Sequence, residues 1–204
     1  SMSLPVVTFN APNQRTAIAE LVAWCKELDG TVVEKVTMPE PQGLSYPGIC
    51  NWAFKQVCKR MAGRDFFWIE ADSIPLKKGW LAAIEAEWLE AKKYGKEIMW
   101  AADYNSPFDL VGGIGVYSGN ADHLIADGIT DDGFDGWTLR HRNHLIHRSN
   151  LIQHSYAHYL PNGDIRRKNE FPPDLPLLRK DAVIFHKDQS QGLIGCVRKG
   201  LLHG

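Results

Sequence analysis

Apolar residues recur along the chain in two patterns: short β-branched or aromatic runs, and longer segments in which they return every three or four residues. The short runs predict strands and the longer segments predict helices. The predicted strands cover residues 5–10, 31–36, 66–69, 97–102, 109–118 and 182–185. The predicted helices cover residues 15–28, 49–62, 80–91 and 120–127, and residues 131–137 open a further helix. Strands that alternate with helices predict an α/β fold with a mostly parallel central sheet flanked by helices.

Length and composition predict one domain over residues 1–204, because 204 residues with 44% hydrophobic content can bury a substantial core. Ser1 ahead of Met2 indicates a cloning remnant within residues 1–3. No run reaches the roughly 18 apolar residues of a membrane span, and the start lacks a signal-peptide pattern. The four cysteines show no CxxC spacing, which favours reduced thiols. We therefore expect a cytoplasmic protein with no membrane partner.

The chain's most informative stretch begins with the apolar run Phe66 to Ile69, which is typical of a strand buried on both faces. Glu70 and Asp72 follow it, and Pro75 is expected to end the strand. In a strand, a spacing of two places both carboxylates on one side. Such a pair suits a divalent cation and its phosphate ligand, although an ordinary strand end with acidic loop residues is the alternative.

The last predicted strand, residues 182–185, ends in His186 and Lys187. The ends of two parallel strands can meet at one cleft, so we expect His186 to approach the acidic pair. A ring nitrogen of His186 could complete a carboxylate-rich metal site. Lys187 could neutralise a phosphate as a point charge.

Two further polar residues stand at predicted helix starts. Asn51 lies in the first turn of the helix over residues 49–62, where it could contact a ligand or serve as a local backbone partner. Asp135 could act as a general base or simply cap its helix. The three glycines within residues 109–118 indicate a bulge or a close approach of the backbone to a ligand.

The carboxyl third of the chain is basic and rich in histidine. Residues 140–204 hold 11 Lys and Arg against 5 Asp and Glu, and seven of the eight histidines. This charge could face a polyanion or could be an ordinary solvated surface. His141, His144 and His147 would share one helical face, but without cysteine partners or an HExxH pattern a solvated helix is favoured over a zinc site. The Arg142-Asn143-His144 run is likewise insufficient for an HNH nuclease.

Four segments, in their order and spacing, resemble the GT-A class of nucleotide-sugar glycosyltransferases, which have a Rossmann-like fold. They are residues 6–12, the helix that carries Asn51, residues 68–72 and residues 112–118. The resemblance covers residues 4 to about 190. It implies metal-dependent transfer of a sugar from a nucleoside-diphosphate donor to an acceptor hydroxyl.

The resemblance also implies roles for particular residues. Glu70 and Asp72 stand where that class has its DxD motif, and His186 where many members have a further metal ligand, so the implied cofactor is Mn²⁺ or Mg²⁺. Glu in the place of the first Asp departs from the motif and leaves Asp72 as the direct ligand. A cation and Lys187 would stabilise the charge that gathers on the leaving diphosphate.

On the nucleotide side, the resemblance implies that Thr8, Asn10 and Asn51 contact the donor. Asp135 would lie on the acceptor side. In an inverting enzyme Asp135 would deprotonate the acceptor hydroxyl, and in a retaining enzyme it would orient the acceptor or the sugar.

The small size and the basic carboxyl third resemble compact phage-type transferases that glycosylate 5-hydroxymethylated pyrimidines in DNA. This implies DNA as the acceptor and, for a phage-encoded protein, the host cytoplasm as its location. A saccharide or lipid-linked acceptor is the alternative within the class. Outside it, the alternatives are a non-catalytic module that binds a nucleotide-sugar or nucleic acid, and a hydrolase of nucleotide-sugars.

Overall fold

The computed structural model describes residues 3–39, 41–102, 113–126, 133–154, 178–186 and 191–200. Lys187, His158 and the beginning of the strand predicted over residues 109–118 lie outside these ranges. Within the described residues, no helix combines the length and the hydropathy that a membrane span requires.

A six-stranded sheet forms the centre of the protein. Its strands are β1 (Val6–Phe9), β2 (Val33–Val36), β3 (Phe66–Trp68), β5 (Ile98–Ala101), β6 (Gly115–Tyr117) and β7 (Ile146–Ser149), in the order β2-β1-β3-β6-β5-β7. Only β6 runs antiparallel to its neighbours among these strands. The predicted α/β fold with a mostly parallel central sheet is therefore confirmed.

Five α-helices accompany the sheet in the described part of the chain: α1 (Arg15–Asp29), α2 (Gly48–Arg60), α3 (Trp80–Lys93), α4 (Phe134–Arg142) and α5 (Gly192–Arg198). Short helical turns cover Pro12–Gln14, Asp122–Ala126 and Asn143–Leu145. Gly30 ends α1 in the left-handed conformation, and its N–H donates to the Lys26 carbonyl at 3.0 Å. The buried side chains of β1, β3 and β5 pack with the apolar faces of α1, α2 and α3 in one hydrophobic core.

A second, three-stranded sheet contains β4 (Ser73–Pro75), β8 (Ile152–His154) and β9 (Ile184–His186), in the order β4-β9-β8. Two expectations were wrong here. The strand that begins at Phe66 ends at Trp68, and Pro75 is the last residue of a separate strand, β4, where it pairs with Ile184. The strand that carries His186 is antiparallel to β4 in this small sheet, so it is not a parallel neighbour of β3.

The histidine-rich helix was also predicted wrongly. Helix α4 ends at Arg142, His144 lies in a 3₁₀ turn, and His147 lies in β7. Tertiary pairing outweighs local spacing, because β7 pairs with β5 along its whole length and buries Ile146. The Nε2 atom of His147 lies 2.7 Å from a carboxylate oxygen of Glu87 on α3, so the three histidines do not share a face.

The glycine-rich segment approaches protein backbone rather than a ligand at Gly115. This residue has φ +151°, and a Cβ atom added to it would lie 2.1 Å from the Met99 carbonyl oxygen on β5. Neither the space nor the backbone conformation accepts a side chain there. Glycine at this position thus permits the close pairing of β5 and β6.

We expect Gly115→Ala to lower the free energy of unfolding by roughly 2 to 5 kcal/mol, since it adds both backbone strain and a steric clash. Urea unfolding of the purified variant measures this. Gly195→Ala in α5 is the matched control, because nothing lies within 4 Å of its added Cβ. The control should be neutral or more stable by about 0.5 to 1 kcal/mol. Equal stability of the two variants would contradict the close approach.

Candidate metal centre and its cavity

A turn after β3 carries the acidic pair. Strand β3 ends at Trp68, so Glu70 and Asp72 do not lie in a strand, and the reason first given for their convergence was wrong. The Ser73 N–H donates to the Glu70 carbonyl at 3.0 Å, and the Glu70 N–H donates to the Ser73 hydroxyl at 3.3 Å. The Trp68 indole N–H donates to Oε1 of Glu70 at 3.3 Å. These three hydrogen bonds fix the turn and one of its carboxylates.

His186 approaches the turn from the small sheet. In the β4–β9 ladder it lies opposite Ser73, the residue that closes the turn. Its Nε2 atom lies 3.1 Å from Oε2 of Glu70 and 3.3 Å from Oδ1 of Asp72. The imidazole is fully buried and packs edge-on against the ring of His154 on β8, with centroids 4.7 Å apart. The antiparallel register therefore brings together the three residues that the sequence singled out.

The chemistry of the three groups fits a divalent cation. One ligand atom from each of Glu70, Asp72 and His186 can be chosen so that all lie within 4.8 Å of one another. Ligands at about 2.1 Å from one ion stand roughly 3 Å apart when adjacent and 4.2 Å apart when opposite. The two distances to Nε2 match adjacent positions. The two carboxylates suit Mg²⁺ and Mn²⁺, whereas the imidazole is a ligand more typical of transition metals, so of these two ions the set suits Mn²⁺ better.

A cavity of about 430 Å³ opens beside the acidic turn. It is lined by Thr8, Phe9, Ala11, Asn13, Gln14, Tyr46, Ile49, Cys50, Ala53, Trp68, Ile69, Glu70, Ala71, Asp72 and Phe134. The carboxylates of Glu70 and Asp72 form one edge, and aromatic and aliphatic side chains form most of the remaining wall. An apolar cavity with a few polar groups on one edge is typical of small-molecule sites.

The other predicted site residues have different positions. Thr8 lines the cavity, but Asn10 and Asn51 are not among its lining residues. Asn10 is half-buried and donates to the Thr37 hydroxyl at 3.2 Å. Asn51 is buried, and its side-chain oxygen accepts the N–H of Phe134 at 2.8 Å, so it anchors the start of α4. Lys187 lies outside the described residues.

Asp135 lies in the first turn of α4, next to the cavity residue Phe134. Its Oδ1 atom accepts the Gly136 N–H at 2.8 Å, but the N-cap of α4 is Gly133, so the prediction that Asp135 caps the helix was wrong. Burial raises the pKa of the Tyr117 phenol well above its usual range, the Trp100 hydrogen bond lowers it in part, and the charges of Asp135 and Glu70 raise it further.

A residue missed by the sequence analysis contacts the acidic turn from a second direction. The side-chain nitrogen of Gln191 donates to the Ala71 carbonyl at 3.0 Å and to the Ala17 carbonyl at 2.8 Å. It also lines a second cavity of about 420 Å³, which shares Asn13, Gln14, Ala71 and Asp72 with the first. The one available signal was its proximity in sequence to His186.

Comparisons with known proteins support the fold. No protein-family model and no curated protein matches the chain. Among solved structures, the chain is similar to a glycosyltransferase involved in the glycosylation of the major capsid of PBCV-1, with a TM-score of 0.58 and 11% sequence identity. The match covers 96% of this chain and 99% of that one. The protein therefore has a fold that a glycosyltransferase also has, over nearly its whole length.

Proposed function

We propose that this protein is a glycosyltransferase that moves a sugar from a nucleoside-diphosphate donor to an acceptor hydroxyl and depends on Mn²⁺ or Mg²⁺. The observation that carries the proposal is the convergence of Glu70, Asp72 and His186 at the edge of an apolar cavity. The glycosyltransferase fold supports the same conclusion. Asp72 and His186 are the proposed metal ligands, and Glu70 faces the donor beside them.

The cavity supports a donor with two unlike ends. The nucleoside would lie against Phe9, Ile49 and Tyr46, and its diphosphate would extend to the acidic edge at Asp72. Tyr46 is 79% exposed although its ring lines the cavity. An aromatic ring in that position can stack on a planar base. Thr8, at the end of β1, offers a hydroxyl on the same wall.

Electrostatics accounts for the need for a cation. The two carboxylates would repel a diphosphate, and the bound ion would supply the positive charge that stabilises the leaving diphosphate as the glycosidic bond breaks. The residues of the chain would hold and orient the ion. His186 is buried and its position is fixed by β9, and the Glu70 carboxylate is fixed by the Trp68 indole. Lys187 follows His186 in sequence and is the proposed further cation for the diphosphate.

Asp135 is the proposed acceptor-side residue. It lines neither cavity, but it follows Phe134, which forms part of the wall of the first. In an inverting reaction it takes the proton of the acceptor hydroxyl, and in a retaining reaction it orients the acceptor or the sugar. Asn10 and Asn51 do not line the cavity, so the donor-side role proposed for them is indirect: Asn51 accepts the N–H of Phe134, which forms part of the wall.

We expect one particular nucleoside-diphosphate sugar to raise the midpoint of thermal unfolding only in the presence of Mn²⁺, beyond the rise that Mn²⁺ alone gives. At a concentration of about 100 times Kd, a ligand of the folded state adds about 2.7 kcal/mol, or roughly 5 to 10 °C for a domain of this size. Asp72→Asn should abolish the rise and lower turnover by about 100-fold or more, because it removes a charge that holds the cation.

Glu90→Gln is the control for this experiment, since Glu90 is an exposed carboxylate on α3 that pairs with Lys93 at 2.5 Å. It should behave as the wild type does. An equal rise of the unfolding midpoint with and without Mn²⁺ would favour a non-catalytic binding module over a transferase. Sugar released to water without any acceptor would favour the hydrolase.

We also expect the donor to protect Cys50 from alkylation. Cys50 is exposed and lines the cavity, whereas Cys196 is half-buried and lines neither cavity. Burial raises the pKa of Cys25 to about 12 and that of Cys58 still further, so neither thiol should react in the folded protein. Iodoacetamide labelling followed by mass spectrometry should show Cys50 slowed by about tenfold or more with donor and Mn²⁺, as expected for a thiol shielded from solvent.

Cys196 is the internal control for this labelling experiment, because its rate should not change with donor. Cys50→Ser should remove the protected signal and leave the Cys196 signal intact. Equal labelling of Cys50 with and without a donor that raises the unfolding midpoint would move the donor site elsewhere.

A hydroxymethylated base in DNA is the proposed acceptor, on the basis of the basic carboxyl third. We expect duplex DNA to be retarded in a gel at low salt. Two phosphate contacts already weaken binding about tenfold between about 50 and 200 mM salt, so the shift should fade over this range. No shift, or one insensitive to salt, would favour a saccharide acceptor.

Arg198 and Arg179 are poor choices for mutation in this experiment, since Arg198 pairs with Glu27 and Arg179 donates to main-chain carbonyls.

A further inference from the structure

Two residues from the last described segments of the chain, His186 and Gln191, contact different parts of the acidic turn. His186 reaches the side chains of Glu70 and Asp72 through its Nε2 atom. Gln191 reaches the backbone of the turn at Ala71, the residue between the two carboxylates. The same amide nitrogen also donates to Ala17 in α1, so the turn is tied to a long helix of the core.

The local conformation of Gln191 is unusual. It is the one non-glycine residue with positive φ in the described part of the chain, at 55°. This left-handed conformation is unfavourable for a residue with a long side chain. Its side chain is nonetheless ordered into a buried position, with the residue only 8% exposed, and it directs both amide hydrogens at carbonyl oxygens. Such strain persists where the surrounding structure determines the conformation, and it is typical of functional regions.

We propose that Gln191 is a positioning residue that sets the orientation of the Asp72 carboxylate for the cation. The inference rests on the proposed function, since it assumes that the acidic turn binds a metal ion. The Ala71 carbonyl belongs to the planar peptide that joins Ala71 to Asp72, so holding this oxygen holds the plane that leads directly into Asp72. Without the Gln191 side-chain amide, the turn has to become ordered when the ion binds. The affinity for the ion falls because this ordering costs free energy.

The expected loss of metal affinity follows from the effect of residues that support the ligands in other metal sites. Losing a hydrogen bond that orients a ligand typically weakens metal binding by 10-fold to 100-fold. We expect that range for Gln191→Leu, which removes both hydrogen bonds at similar volume. Gln191→Glu removes the donors as well but adds negative charge near the ion. If charge near the ion governed affinity, this variant would bind Mn²⁺ more tightly; positioning predicts weaker binding in both variants.

The experiment is a Mn²⁺ titration of the purified full chain in the absence of nucleotide, with unbound Mn²⁺ measured by electron paramagnetic resonance. This readout does not require turnover. Thermal unfolding of the same samples without metal reports any general loss of stability. A second variant at position 191 keeps the test decisive if one of the two does not fold.

Trp24→Phe is the matched control. The Trp24 indole on α1 donates to the Pro75 carbonyl in β4 at 2.9 Å, so it also joins α1 to the segment after the turn through a buried hydrogen bond. It does not contact Glu70, Ala71 or Asp72 through that bond. We expect a lower unfolding midpoint with unchanged Mn²⁺ affinity for this control, and a 10-fold to 100-fold weaker affinity for both variants of Gln191.

The outcomes distinguish the positioning role of Gln191 from the proposed metal-dependent function. If the wild type binds Mn²⁺ and the Gln191 variants bind it equally well, the positioning role is overturned and the proposed function stands. If Trp24→Phe weakens Mn²⁺ binding as much as they do, the effect is one of general stability and the positioning role is again overturned. If the wild type binds neither Mn²⁺ nor Mg²⁺, the metal-dependent function fails and the inference fails with it.

Discussion

The pairing of β4 with β9 is the constraint on which the candidate site depends. Its antiparallel register places His186 opposite Ser73, and the hydroxyl and N–H of Ser73 close the turn that carries Glu70 and Asp72. A one-residue slip in this register would turn the imidazole to the other face of the small sheet. It would leave two carboxylates without the buried imidazole, so the ladder determines the chemistry as well as the fold.

The opposite wall of the cavity depends on aromatic packing around Phe54 in α2. Its ring stacks on Phe134 with centroids 4.1 Å apart and contacts Trp68 and Tyr117 edge-on. Asn51, one turn earlier, accepts the N–H of Phe134. Helix α2 thereby fixes where α4 begins, and with it the position of Asp135. The aromatic rings add about 0.5 to 1.5 kcal/mol per pair beyond their buried area, which favours a preformed wall over one assembled around a ligand.

Sequence periodicity was sufficient for the elements whose burial pattern is regular. Helices α1, α2 and α3 and strands β1 to β3 and β5 follow it closely, and α/β alternation gave the class of the fold. The acidic pair and His186 were found because each follows a buried apolar run. The geometry between them was not predictable, since it depends on a turn and on an antiparallel ladder between distant segments.

Gln191 could not be found from a sequence pattern, because its partners are main-chain carbonyls at Ala17 and Ala71, which carry no sequence signal. His147 was assigned to the wrong element because long-range pairing with β5 overrides its local spacing.

The two cavities give the acidic turn a particular place in the molecule. Asn13, Gln14, Ala71 and Asp72 line both cavities; the first adds several aromatic side chains, and the second adds Thr16, Ala17 and Gln191. The first wall suits a base that stacks, and the second, with amides and a hydroxyl, suits a group that donates and accepts hydrogen bonds. A nucleoside-diphosphate sugar, the proposed donor, has this division, with its charged diphosphate in the middle. Because Trp68, His186 and Gln191 all contact the turn, its two carboxylates are held beside both cavities, which is the position that the proposed donor requires of them.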